Sequence, residues 1–342
     1  MTTRRKKRKK QQASPKSVLL LIVLIAFAFV VYEPLMEAIG EAGQDTSGQV
    51  SAASSSVSAA RSSTTSSVGG GDVDVADAVD KVANEADGVP TTSTSPSTAT
   101  TQATATAALS DLAHLERPAA LSDRPERILE RKSYTTSYNK ETRLPNWVAW
   151  ELTPEKLVER ESRKNSKFLP DPDLPQAEAV TTDDYKGSGW DRGHMCPAGD
   201  NRWHWRAMTE SFYMTNICPQ HHNLNRGDWK ELEEDCRRWA QAWGSIYIVC
   251  GPILYRQEHQ TIGSEHTVTV PEAFFKVVLC TQTTPPQAIG FIYKNAAGNN
   301  PLDSYVNSVD QVERITGIDF FPALPDDIEA VVEASYDLSL WR

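Results

Sequence analysis

Residues 187–201 read GSGWDRGHMCPAGDN, and within four positions of that stretch stand a carboxylate (Asp191), a fixed cation (Arg192) and an imidazole (His194). Glycines at 187, 189, 193 and 199, with Pro197, interrupt both the helical and the strand period. The stretch therefore reads as a shaped loop rather than a regular helix or a buried strand. A loop carrying a base, a cation and an acid is a candidate catalytic element, and a turn with polar decoration is the plainer alternative. The sequence around it decides between them.

Residues 212–239 read FYMTNICPQHHNLNRGDWKELEEDCRRW. Asn225 precedes a helix expected to start at Asp228. Glu233 and Arg237, four residues apart, share one face of that helix, where they pair or address a common ligand. The amide oxygen of Asn225 and the carboxylate of Glu233 are hard donors suited to Mg²⁺, which keeps several waters and needs no all-protein cage. With Arg192 and His194 they make up the parts that metal-assisted phosphodiester hydrolysis requires: a base for water, ligands for a metal and a cation for phosphate. Trp229, Leu232, Cys236, Trp239, Ala240 and Trp243 recur at helical spacing as one apolar stripe, which reads as core packing.

The ordered set DRGH, MTNICPQ and LNRGDWKELE, followed by Arg237, resembles the DNA/RNA non-specific endonuclease family, the ββα-metal nucleases that include endonuclease G. The likeness runs from about Ser133 to the C-terminus and takes in YNKETRLPNWVAWELT, GPI and VERITGIDFFPALPDD. The resemblance implies an α+β fold, a ββα-metal core with a mixed or antiparallel sheet and flanking helices. It also implies His194 as general base, and Asn225 as side-chain ligand of a single Mg²⁺ (Mn²⁺ or another divalent cation substituting), with Glu233 acting on the ion through water. Arg192 would bind the phosphate, Arg237 would support the same site, and Asn216 would assist near the scissile group. An upstream phosphate-binding arginine maps onto Arg163 on a looser flanking match. Products would carry 5′ phosphates. Arg202, Trp203 and Arg206 are candidate nucleic-acid contacts, with DNA and RNA as substrates.

Charge bounds how such substrates are held. The 342 residues carry a net charge of −10, and the first 16 hold eight basic and no acidic residues, so the remainder carries −18. An acidic body opposes a broad electrostatic grip on nucleic acid. From Arg192 through Arg238 seven basic and seven acidic residues balance, which predicts modest, salt-sensitive binding.

The uncharged run at 18–32 is 15 residues long. With its flanks it predicts a transmembrane signal anchor at 17–36, a cytoplasmic basic segment at 1–16 and an exported domain, secreted if the anchor is cleaved. A Ser/Thr/Ala-rich disordered linker is expected at 37–110, and the endonuclease domain at 111–342. Export permits disulfides among Cys196, Cys218, Cys236, Cys250 and Cys280, and the odd count leaves one unpaired in a monomer.

Strands are expected at 131–139, 146–153, 245–254, 274–280 and 287–294, and helices at 205–214, 228–243, 306–317 and 326–335. A rival zinc site would use His194, Cys196, Cys218, His221 and His222, but paired ligand spacing is missing. A rival function is a catalytically inactive nuclease-fold module for binding or adhesion at the cell surface.

Overall fold

The computed structural model describes Leu109 and residues 112–342. The basic segment, the expected anchor at 17–36 and nearly all of the expected linker lie outside the described residues. No helix among the described residues is long and apolar enough to cross a membrane.

Strands β1 (Arg127–Glu130), β2 (Thr135–Asn139) and β3 (Leu144–Leu152) open the domain. Then come β4 (Asp191–His194), α1 (Trp205–Glu210), β5 (Ile217–Gln220), α2 (His222–Arg226) and α3 (Asp228–Trp243). Strand β6 (Ile246–Ile253), a short ribbon of β7 (Thr261–Ile262) with β8 (Val268–Thr269), β9 (Ala273–Cys280) and β10 (Gln287–Lys294) follow. The chain closes through β11 (Val306–Asn307), α4 (Val309–Thr316) and α5 (Asp326–Ala334). The large sheet runs β1-β2-β3-β6-β9-β10-β11 with every neighbouring pair antiparallel, so of the two sheet types expected it is the antiparallel one.

The central strands are rich in Val, Ile and Phe because both faces of the sheet are covered. Val148, Trp150, Ile248, Phe274 and Val278 pack toward α3, whose Trp229, Leu232, Cys236, Trp239 and Ala240 form the expected apolar stripe. Their strand neighbours Trp147, Ala149, Val249, Phe275 and Val277 point the other way, onto Val309 and Val312 of α4 and Val332 of α5. The fold thus has three layers, with α3 and the C-terminal helices on opposite faces. Trp239 stacks on Trp243 at 6.4 Å and meets Trp341 edge-on at 4.9 Å, so these rings serve the core.

Three expectations change. The strand expected at 131–139 begins only at Thr135, because the Arg131 N–H donates to the Tyr134 carbonyl and turns the chain between β1 and β2. The helix expected at 205–214 stops at Glu210. The third concerns the loop. Gly187 and Gly189 do turn the backbone, at φ of 72° and 84°, but Asp191–His194 forms a strand paired antiparallel with β5, Asp191 opposite Gln220 and His194 opposite Ile217. A strand is tolerated because residue 193 is glycine. A Cβ there would lie 2.2 Å from Gln220 Oε1, so any larger residue would push the two strands apart. All five cysteines are buried and free.

Candidate active site

The β4–β5 ribbon and the start of α3 hold the His194 backbone in place. The Trp229 indole donates to the His194 carbonyl at 3.3 Å, and the Met195 N–H donates to the Asn216 carbonyl at 2.9 Å. The Asn216 side chain accepts the Cys196 N–H at 2.9 Å and donates to the carbonyls of Cys196 and Ser211, each at 2.8 Å. Fully buried and fully bonded, Asn216 pins the backbone that follows His194.

The imidazole is enclosed more tightly than the sequence implies, at 7% exposure. Phe212 meets it edge-on at 4.8 Å and Phe168 packs against it at 5.3 Å. Its Nε2 is buried without a hydrogen-bond partner, while Nδ1 is not sealed in this way. Burial, aided by the nearby Arg163 charge, pushes the pKa down to about 3, so the free protein carries a neutral ring. The phenylalanine collar is itself braced. The Leu169 N–H donates to the Phe212 carbonyl at 3.1 Å, and Arg131 grips Asp171 with two contacts of 2.6 and 2.7 Å.

On the outside of that collar sit two exposed guanidinium groups. Arg192 lies 4.8 Å from the Phe168 ring centre and Arg163 lies 5.5 Å from that of Phe212. Both face solvent beside the imidazole, an arrangement suited to an anion. The loosely matched Arg163 therefore does reach the site.

Asn225 lies in α2, a separate short helix before α3 rather than in a plain loop. Its Nδ2 donates to Asp191 at 2.9 Å, and His222 Nδ1 shares that carboxylate at 3.1 Å. Partial burial opposes ionisation of Asp191, but these two hydrogen bonds outweigh it and hold the carboxyl below its usual range. With its nitrogen committed, the Asn225 amide keeps its oxygen for another partner. Glu233, the other oxygen donor singled out in the sequence, lies on α3, and burial pushes its carboxyl up to about 7 against the pull of Lys276. Amide and carboxylate oxygens without a thiol fit a hard divalent cation.

Arg237 does not pair with Glu233. Its guanidinium binds Asp200 at 2.9 Å, and the Trp150 indole donates to the same carboxylate at 3.2 Å. Beneath them lies Lys276, fully buried, its Nζ 4.5 Å from the Trp229 ring centre and 5.2 Å from that of Trp150. Burial disfavours its charge, but Cys250, Cys236, Glu233 and Asp200 outweigh that and push its pKa up. The site therefore rests on a buried cation.

The expected nucleic-acid contacts are partly spent within the protein. Arg202 pairs with Glu159, and Arg206 binds Glu210 at 2.6 Å. The Trp203 indole N–H is buried, with the Lys132 ammonium 5.8 Å from its ring. Arg202 and Arg237 meet in the wall of an open cavity of about 380 Å³ that Arg238 also lines. Among the described residues the group of three acidic, thiol or imidazole donors close enough to share an ion lies in α4 and α5, not among His194, Cys196, Cys218, His221 and His222.

The profile of the DNA/RNA non-specific endonuclease family matches residues 113–327. The chain belongs to this family. It is 37% identical to the mitochondrial nuclease EXOG of Danio rerio over 217 residues, 58% of this chain and 63% of that protein. Against human mitochondrial EXOG it is 37% identical over 213 residues, 57% of this chain and 58% of that one. Human mitochondrial endonuclease G is 32% identical over 207 residues, 57% of this chain and 69% of its own length. The match to the EXOG relatives thus spans about three fifths of their length. A chain of the solved EndoG/EndoGI complex superposes with a TM-score of 0.58 at 25% identity, over 68% of this chain and 95% of that one.

Within this member of the endonuclease family, several site residues escape the motif reading. Phe168 and Phe212 carry no chemistry of their own, and no local pattern ties them to His194. Lys276 left a trace, since a lysine inside the apolar run FFKVVLC has to be accommodated by buried partners. Asp191 belongs to DRGH, but its grip on Asn225 spans 34 positions and becomes visible only in three dimensions.

Proposed function

We propose that this chain is a divalent-cation-dependent endonuclease that hydrolyses phosphodiester bonds of DNA and RNA without reading base sequence. The observation that carries the reading is a neutral imidazole, His194, walled by aromatic rings and flanked by two exposed guanidinium groups. Arg192 and Arg163 bind and orient the phosphate, with contacts to the backbone and none needed to the bases. The Asn225 oxygen and Glu233, the latter through water, would hold Mg²⁺ or a similar ion, which when bound offsets charge on the phosphate oxygens.

His194 Nδ1, the ring nitrogen that is not sealed off, takes the proton from the attacking water, which requires the tautomer with hydrogen on Nε2. A ring with a pKa of about 3 is a weak base in the free protein. A bound phosphate counters the Arg163 charge and favours the imidazolium, so base strength rises as substrate arrives. The phosphodiester breaks at the 3′ oxygen, leaving 5′-phosphate ends. Asn216 and Trp229 keep the His194 backbone in place throughout.

The test is incubation of the full chain with plasmid and with RNA, in Mg²⁺ or in chelator. Metal-dependent fragmentation with ligatable 5′-phosphate ends, lost in His194→Ala, supports the reading. A folded His194→Ala protein that cuts as fast as the parent overturns it.

A further inference from the structure

A second cluster of oxygen donors lies on the far face of the sheet. Asp310 and Glu313 stand three residues apart on α4, hence on one side of it, and Glu333 faces them from the last turn of α5. Donor atoms of the three carboxylates all lie within 4.8 Å of one another. An acidic cluster alone needs no ion, because solvated carboxylates tolerate one another. Glu333 is different: it is 5% exposed, and its Oε1 is buried with no hydrogen-bond partner.

Its neighbours each have an account that Glu333 lacks. Asp310 sits in the first turn of α4, where the helix dipole favours an anion, and Glu313 accepts the Phe320 N–H at 2.7 Å. Glu333 lies near the C-terminal end of α5, where the dipole opposes it. The charged groups acting on it are Glu313, Glu329, Asp310 and Asp319, all of one sign. Arg124, which reaches the end of α4, is committed to the Thr316 carbonyl and to Asp123. A buried carboxyl aimed at two others is balanced either by a proton, which burial and these acids favour, or by a positive partner.

We propose that Asp310, Glu313 and Glu333 form a binding site for a hard divalent cation, Ca²⁺ or Mg²⁺, that clamps α5 to α4 on the sheet face opposite His194. The all-oxygen donor set selects hard cations, and waters complete the coordination. The site is independent of the nuclease reading.

The full chain, stripped with chelator, is titrated with CaCl₂ alone and with MgCl₂ alone, following thermal unfolding and bound metal by equilibrium dialysis. With the preferred ion, Tm rises by several degrees and Glu333→Gln loses that rise. Glu333→Gln also binds one ion fewer than the parent and still cleaves plasmid in saturating Mg²⁺. Asn225→Ala keeps the rise, because it leaves α4 and α5 intact. Should Glu333→Gln fail to fold, Asp310→Asn reads the same difference at a half-buried position, as at least a tenfold higher half-saturating concentration. The proposal is overturned if neither ion shifts Tm, if Glu333→Gln responds like the parent, or if the shift vanishes only in Asn225→Ala. It is also overturned if Glu333→Gln in chelator gains the stability expected of the ion while the parent binds none there, which would assign a proton to Glu333.

Discussion

Acidification from pH 7 to pH 5 costs this protein about 2 kcal/mol at His194 alone. The fold holds this imidazole at about 3, through burial first and the Arg163 charge second, against an ordinary value of 6.5. The unfolded chain therefore takes up a proton as pH falls through 6.5, whereas the folded ring stays neutral until about 3. A histidine with a depressed pKa is fully accommodated above its unfolded value and loses stability as pH drops through that window. The slope approaches about 1.4 kcal/mol per pH unit, and integration from pH 7 to pH 5 gives about 2 kcal/mol. Other groups titrate too, so the quantity to measure is a difference. Urea unfolding of the parent and of His194→Asn, followed by tryptophan fluorescence at pH 7, 6 and 5, isolates it. The parent should lose about 2 kcal/mol more than the variant over that range. Two stability curves parallel to within about 0.5 kcal/mol would show that His194 is solvated and titrates normally, and the enclosed-ring argument would be wrong.

Asp191→Ala frees the Asn225 amide and His222, so the metal concentration for half-maximal cleavage should rise about 10- to 100-fold with the fold intact. An unchanged metal titration would show that Asp191 does not orient Asn225. Gly193→Ala forces a Cβ onto the buried Gln220 side chain and should cost about 1–3 kcal/mol, read from circular-dichroism melts. A melt matching the parent would mean that the ribbon is not held as described. Arg206→Ala should leave the salt dependence of nucleic-acid binding unchanged, because Glu210 already holds that guanidinium. A fall of about one in the slope of log K against log salt would instead make it a phosphate contact.

The linear sequence determined what depends on neighbours and on period. The strand-rich runs, the apolar stripe of α3, the Gly317 end of α4, and the DRGH and LNRGDW motifs are all local patterns that backbone geometry and burial translate directly. Family membership followed from the order of those motifs. Tertiary structure decided what depends on pairing between distant segments. Glycine read as a breaker in Gly187–Asn201, yet β5 captured Asp191–His194 as a strand because Gln220 needs the space a side chain at 193 would take. Helical spacing put Glu233 and Arg237 on one face, but Asp200 from another element claimed the arginine. The depressed pKa of His194 arises from Phe168, Phe212 and Arg163, contributed by segments that local spacing does not connect to DRGH. Residue types fix which chemistry is available, while electrostatics and burial, which fall off with distance in space and not along the chain, fix which of those groups are charged, paired or free to react.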